Sequence, residues 1–418
     1  MSRRGHGEAR LLAVLTLTGT VNWADRQVVP ILFPGIRAEL HLSDTELGIV
    51  GGLAFSLIYA LTGFFFGFAA DRWLRVRVIA FGLATWSLAT AAGGLATDFS
   101  TLFWARFFTG IGEASLFPCA VSLIGERFPP ERRGRALGTF GMAAAIGAGL
   151  GIGLGGRLAD ALGWRSVFFI YGGSGLLLLP LVLALPETRR RRDGTTRDPP
   201  LAAARTLLAD ARLAVLWLAG MIAIASGIGY AAWVPSFFVR DHGLGVTEAG
   251  LLFGAAALAG GIVGSLAGGM LADHRGRARF AGEADVAIAS GLLAAPLIVA
   301  TIGVATPWLF VPIGLAASIS IYSFFPALQA LLVRLVPQQH LGIAAALNVF
   351  FLGGLGSALG PFVVGSISDA TGNLHAALLV PAGGFLVAAA VAAAAGRVAR
   401  RRGRRGERQP PLAPRPRV

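Results

Sequence analysis

The stretch Gly67-Phe68-Ala69-Ala70-Asp71-Arg72-Trp73-Leu74-Arg75-Val76-Arg77 returns in altered form as Gly269-Met270-Leu271-Ala272-Asp273-His274-Arg275-Gly276-Arg277-Ala278-Arg279. A shift of 202 positions superposes the glycine, an alanine, the aspartate and two arginines. In each copy an apolar run ends on an acid and then a cluster of arginines. The same shift lays Thr45, Glu46 and Gly48 on Thr247, Glu248 and Gly250, and Ala9-Arg10-Leu11 on Ala211-Arg212-Leu213. A shift of 208 carries Phe117-Pro118, Pro129 and Gly134 onto Phe325-Pro326, Pro337 and Gly342. A shift of 209 carries Gly147, Gly151, Gly156, Asp160 and Gly163 onto Gly356, Gly360, Gly365, Asp369 and Gly372. So many ordered matches of glycine, proline and charge mean one unit repeated in the same orientation.

Composition says what kind of unit it is. The 418 residues are 55% hydrophobic and 14% charged, with 58 glycines and a mean hydropathy of +0.68. Soluble chains are roughly one quarter charged, and close-packed membrane helices favour small residues. Twelve segments reach the length of about 20 residues that spans the hydrocarbon. They fall near 11–34, 46–70, 76–97, 101–126, 135–158, 165–185, 213–238, 249–272, 283–304, 308–333, 341–367 and 375–396. Ser43 and Glu46 have capping-box spacing before the second, and Pro129 and Pro130 stop the fourth. The expected fold is an all-α membrane protein of two six-helix bundles. Residues 1–186 form the first, 187–210 a central loop, 211–396 the second and 397–418 an Arg/Pro-rich tail.

Every basic residue is arginine. With Met1 on the cytoplasmic side, 30 of the 36 arginines fall in cytoplasmic loops, four on the other side, and Arg26 and Arg106 inside the membrane. The positive-inside rule therefore puts both termini in the cytoplasm. The basic tail reads as an anchor on anionic lipid rather than a nucleic-acid site. The single Cys119 excludes a disulfide framework, and the six histidines have no ligand spacing, so no metal is expected. The first apolar run is too long for a cleavable signal. A monomer in the inner (plasma) membrane of a bacterium is the expected setting.

On these residues the chain resembles the major facilitator superfamily along nearly its whole length. Gly67, Asp71, Arg72, Arg75 and Arg77 are similar to the superfamily's loop signature after its second helix, with Leu74 in place of the usual glycine. That likeness, with Asp273 in the second copy, implies a conformational latch. Gly138, Gly147, Gly151, Gly155 and Gly156 resemble the superfamily's antiporter glycine motif, but Ile152 stands where that motif has proline. Close helix packing is the plainer reading of these glycines. Asn22-Trp23-Ala24-Asp25-Arg26 and Gly110-Ile111-Gly112-Glu113-Ala114-Ser115, following Arg106, resemble the Spinster-like transporters and equally the organic anion–cation symporters. Ser115 leans to the first group, and Leu116-Phe117-Pro118 to the second. The first group implies a lysolipid-like anion as substrate, the second a sugar acid or related carboxylate.

Ionisable side chains inside membrane helices default to functional sites. Arg106 and Glu113 are seven residues apart, so they share a helix face and lie about 10 Å apart along the axis. Asp25 and Arg26 fall in the outer half of the first helix. Arginine stays charged and forks onto carboxylate or phosphate, while an acid in a dry cavity titrates nearer neutral pH. Arg26 and Arg106 are therefore expected to hold a substrate anion, and Asp25 and Glu113 to carry a coupling proton. A buried structural ion pair is the competing reading. The repeat sets Gly227, Ile228, Gly314 and Ile321 opposite these four charges. Tyr59, Tyr230, Trp233, Tyr322 and Asn348 are candidate wall residues, with core packing an equal alternative for each. The leading expectation is proton-coupled symport of an organic anion or anionic amphiphile, with no cofactor. A uniporter or a drug/proton antiporter is the alternative. An enzyme would need a clustered catalytic site, and an ATP-driven pump a Gly-Lys-Ser/Thr loop; the sequence has neither.

Overall fold

The computed structural model describes residues 3–186 and 200–404; the side chains of residues 3–6, 68, 71, 72, 130, 131, 200, 201, 307 and 401–404 also lie outside the description. Among the described residues the regular structure is entirely helical. Twelve rods follow one another: α1 (Arg3–Leu40), α2 (44–72), α3 (Arg75–Gly93), α4 (Phe99–Arg127), α5 (130–162) and α6 (Trp164–Leu183) make the first bundle. After a short helix, Pro200–Leu208, the second bundle is α7 (Ala211–His242), α8 (Val246–Ala278), α9 (Glu283–Ile302), α10 (Phe310–Leu335), α11 (Gln338–Thr371) and α12 (374–404). Eleven rods are long and apolar enough to cross a membrane. The remaining one, α1, has the length but carries Asn22, Asp25, Arg26 and Gln27 in mid-helix.

Local chemistry explains the seams. The Ser43–Glu46 capping box forms as expected, with the Ser43 hydroxyl accepting from the Glu46 amide. Asp98 caps α4 in the same way, and the bond from the Thr101 amide holds its carboxyl below the ordinary aspartate range. The α2–α3 turn needs no glycine at Leu74, because Trp73 and Leu74 are both extended (φ −104° and −71°). Several expected boundaries move by six to eight residues: α1 starts at Arg3 and runs to Leu40 with Pro30 and Pro34 inside it, α8 runs on to Ala278, and α12 to Arg404. A proline costs a helix one amide donor but does not stop it when tertiary packing holds the rod; Val29, Ile31, Leu32, Phe33 and Ile36 are all buried.

The bundles meet along α1/α7, α2/α11 and α5/α8, and the two ends of that seam differ. At the end away from the termini, Asp44 is buried and binds Arg37 (2.7 Å), Ser368 (2.6 Å) and Arg240 of the other bundle (2.8 Å). Asp369, in the last turn of α11, accepts from the Asp44 and Thr45 amides at the start of α2 (3.0 and 2.7 Å). Asp160, in the last turn of α5, accepts from the Thr247 amide at the start of α8 (2.8 Å). Each helix that bears an accepting aspartate closes on a glycine with positive φ, Gly163 at +79° and Gly372 at +63°, a backbone that favours glycine. At the terminal end, Asp273 is exposed, and a side chain on Gly67, Gly134, Gly138, Gly141 or Gly342 would meet open space. The buried cores match this. One runs through the second bundle into the far end of the first, and another is confined to the terminal end of the first. Among the described residues, the polar contacts that join the two bundles lie at the far end, away from the termini.

Candidate functional site

Close backbone approach builds the site. A Cβ on Gly147 or Gly151 would strike the Thr20 or Ala24 carbonyl of α1, so these glycines let α5 lie directly against the turn carrying Asp25. A Cβ on Gly110 would strike the Phe55 carbonyl, so α4 and α2 touch beside Arg106. Gly82 and Gly112 bring α3 against α4, where α4 breaks at Ala114–Ser115, just after Glu113. Gly147, Gly151 and Gly155 thus have a packing role against α1.

The four predicted charges converge within the first bundle. Asp25, Arg106 and Glu113 are at most 1% exposed, while the Arg26 side chain is 22% exposed. Arg26 donates to one Glu113 carboxylate oxygen through Nη2 (3.0 Å) and Nε (3.3 Å). Its guanidinium lies among three rings, 4.8 Å from Trp23, 4.8 Å from Phe55 and 4.4 Å from Tyr59. The Arg106 guanidinium is 4.7 Å from the same Phe55 ring. Both cations thus use one aromatic quadrupole, a favourable contact when desolvated. Thr90 donates to Asp25 Oδ2 at 2.5 Å.

Several polar atoms of this cluster are left over. Nε and Nη1 of Arg106, Oδ1 of Asp25 and Oε1 of Glu113 are buried without a hydrogen-bond partner. An unmet buried donor or acceptor costs about 1–3 kcal/mol, more when charged. Donors without a protein partner leave the guanidinium available to an anionic group. Neutral Glu113 would release Arg26 from its ion pair.

The second bundle contributes no charge at the equivalent positions. A Cβ on Gly227 would lie 3.3 Å from Ile321, and Ile228 is 37% exposed. Tyr230 shares a hydrogen bond with Thr301 (2.9 Å), and Trp233 donates to the Pro361 carbonyl (2.9 Å) while packing on Phe33. Both are buried at the far end, and Asn348 is buried too. Tyr322 stands 44% exposed beside Gly261. Of the expected latch, Arg75 is buried and paired with Glu126 (2.6 Å), and Asp273 is exposed. The Asp71 and Arg72 side chains lie outside the described residues.

Sequence reasoning passed over Phe55, Trp23, Thr90 and Thr109. Phe55 and Tyr59 are four apart and stack at 5.7 Å, a spacing that reads as ordinary core. Asp44, Asp160 and Asp369 were also passed over as site residues. The repeat carried a signal for the last two, matching Asp160 with Asp369 and Thr45 with Thr247; in the structure these pair crosswise between bundles.

Comparison with known proteins agrees with this architecture. Residues 15–361 match the model of the Major Facilitator Superfamily. An "MFS-type efflux pump" of Mycolicibacterium smegmatis is 32% identical over 274 residues, 64% of each chain. A "Probable L-galactonate transporter" of Escherichia coli is 30% identical over 273 residues, 59% of each. "Protein spinster homolog 1" of Homo sapiens is 30% identical over 245 residues, 56% of this chain and 46% of that one. The chain thus matches less than two thirds of the length of these relatives. A solved bacterial homolog of the human lysosomal transporter Spinster, inward-facing and unoccupied, superposes with a TM-score of 0.87 at 23% identity, over 99% of this chain and 100% of that one. At that identity the likeness speaks for the fold alone.

Proposed function

This chain belongs to the major facilitator superfamily, and on that premise we propose that it is a secondary transporter for an organic anion, driven by protons through alternating access. The observation that carries the reading is Arg106, buried at mid-helix with two unpartnered nitrogens beside two acids that each keep one free oxygen. The anion binds Arg106, and Arg26 joins it once Glu113 takes a proton. Asp25 is the second acid of the pair. Two interacting acids share their titration, so neither is the sole proton site. The apolar positions of the second bundle, Ile228 and Ile321 with Tyr322, face the substrate's uncharged part. This suits an anion with an apolar body, such as a muconate-like acid or a lysolipid, better than a polyol acid.

With the termini in the cytoplasm, as the arginine distribution favours, the joined far end faces outward. Asp71 and Asp273 then serve as latches of the opposite conformation, in which the terminal end is closed. The likeness to an efflux pump favours one second reading, a proton/drug antiporter using the same acids.

Proteoliposomes under an imposed proton gradient test the proposal, with muconate, galactonate and a lysophospholipid as probes. Uptake of one probe driven by an acidic exterior, and abolished by an uncoupler, is the expected result. Glu113→Gln keeps exchange of that probe down its own gradient but loses accumulation, because a permanently neutral side chain mimics the loaded state. Accumulation unchanged in both Glu113→Gln and Asp25→Asn would reject coupling at these residues.

A further inference from the structure

Asp25 reaches α4 through two hydroxyls. Thr90 of α3 donates to Asp25 Oδ2 at 2.5 Å, and Thr90 Oγ1 lies 3.4 Å from Thr109 Oγ1. Thr109 donates to the Ala105 carbonyl at 2.8 Å, the residue just before Arg106. Asp25 and Thr90 are 1% exposed, and Thr109 is fully buried.

A hydroxyl has one proton to give and can accept as well. With Asp25 ionised, Thr90 gives its proton to the carboxylate and Thr109 gives its own to Ala105. With a proton on Oδ2, the row must run the other way at its first link. Asp25 then donates to Thr90, Thr90 turns its proton to Thr109, and Thr109 still donates to Ala105. Every hydroxyl proton has an acceptor in both states. A buried donor without one would cost the full desolvation penalty, so a carboxyl beside a one-way partner would be held in a single form.

We propose that Thr90 and Thr109 are positioning residues forming a reversible hydroxyl relay that lets Asp25 gain and lose a proton in a dry site. Thr90 supports the ionised form directly, and Thr109 supports the protonated form by accepting from Thr90. The proposal rests on the proton role given to Asp25 above. The other groups that act on Asp25 are Arg26 on its own helix, Arg106 and Glu113 on α4, and Tyr171 on α6. None of them is altered chemically when either threonine is changed.

The relay predicts opposite effects from its two members, which a merely structural role would not produce. Thr90→Val removes the charge-assisted donor to the carboxylate, worth roughly twice the neutral acceptor that the protonated carboxyl loses with it, and Thr109→Val removes only an acceptor that the protonated state needs. The measurement is a pH titration of the protonated-carboxyl infrared band of full-length protein in lipid, assigned to Asp25 by its loss in Asp25→Asn. Against wild type, Thr90→Val is expected to move the midpoint about one pH unit to the alkaline side, the scale of one charge-assisted hydrogen bond. Thr109→Val is expected to move it to the acid side, and Thr90→Ser to leave it in place. If Thr90→Val does not fold, the acid-side shift in Thr109→Val decides the matter. Shifts of the same sign, or none, with a titrating Asp25 band overturn the relay alone. A wild-type protein with no Asp25 band at any pH overturns the proton role of Asp25 and the relay with it.

Discussion

The two bundles treat ion pairs in two different ways. At the terminal end, the first residue of α3 is Arg75, buried and bonded to Glu126 near the end of α4 at 2.6 Å. The first residue of α9 is Glu283, also buried, and bonded to Arg334 near the end of α10 at 2.7 Å. The second bundle thus keeps the bridge of the first with its charges exchanged. In mid-membrane there is no exchange: Asp25, Arg26, Arg106 and Glu113 correspond in the repeat to Gly227, Ile228, Gly314 and Ile321. Where a bridge only ties two helices together, its polarity is free to reverse, and both bundles need one. Where the charges serve a ligand, their sign is fixed and one bundle suffices. This asymmetry argues against a scaffolding role for the four central charges.

The largest expected effect attacks that distinction directly. Arg75→Glu alone strands a buried charge and should cost about 3–5 kcal/mol of stability. Adding Glu126→Arg should restore most of it, read by thermal denaturation in detergent. The same exchange at the centre, Arg26→Glu with Glu113→Arg, should give a folded protein that does not transport. If the central exchange transports normally, the two kinds of bridge are not different.

A smaller effect sharpens the contrast. Arg106→Lys keeps the charge and loses the fork, so affinity for the transported anion should fall at least about tenfold. Ile321→Val, at the position matching Glu113, should change it by less than about twofold, since it removes one methylene from a wall. Equal losses in the two variants would erase the difference between bundles. Equilibrium binding to protein in lipid nanodiscs reads both.

The smallest effect compares the ends of the seam. Asp369→Asn and Asp160→Asn each weaken one helix cap, worth about 1 kcal/mol. Each should raise the labelling rate of a cysteine placed at the far end severalfold, in a background with Cys119→Ala. Rates at the terminal end should fall in step as the molecule rocks. Rates rising at both ends would mean local fraying instead.

Much of this was legible in the chain. Repeated punctuation gave the two bundles, because glycine, proline and charge are constrained by backbone geometry and hydration, which both copies must satisfy. The central charges were legible because hydrocarbon makes them costly. Indels blurred the rest. The 202 shift matched Arg75 with Arg277, but the structure matches it with Glu283, six residues on, because α8 runs four residues further than α2 and the α8–α9 connection is two residues longer. Thr90 and Thr109 were illegible because a threonine in an apolar helix normally bonds its own backbone, as Thr109 also does. Asp44 was passed over, since its partners Arg240 and Ser368 are 196 and 324 positions away.

The crosswise caps at the far end carry one more consequence. Asp160 of the first bundle caps the second helix of the second bundle, and Asp369 returns the favour to the first. With the bundles regarded as two copies of one chain, residue i meets residue j and j meets i, the rule of a self-complementary two-fold dimer. A six-helix ancestor pairing about such an axis would have closed both caps with a single aspartate and a single threonine. Each half therefore lends the other one acceptor and one amide donor, so the seam stays two-fold at this end although the central charges of the halves differ.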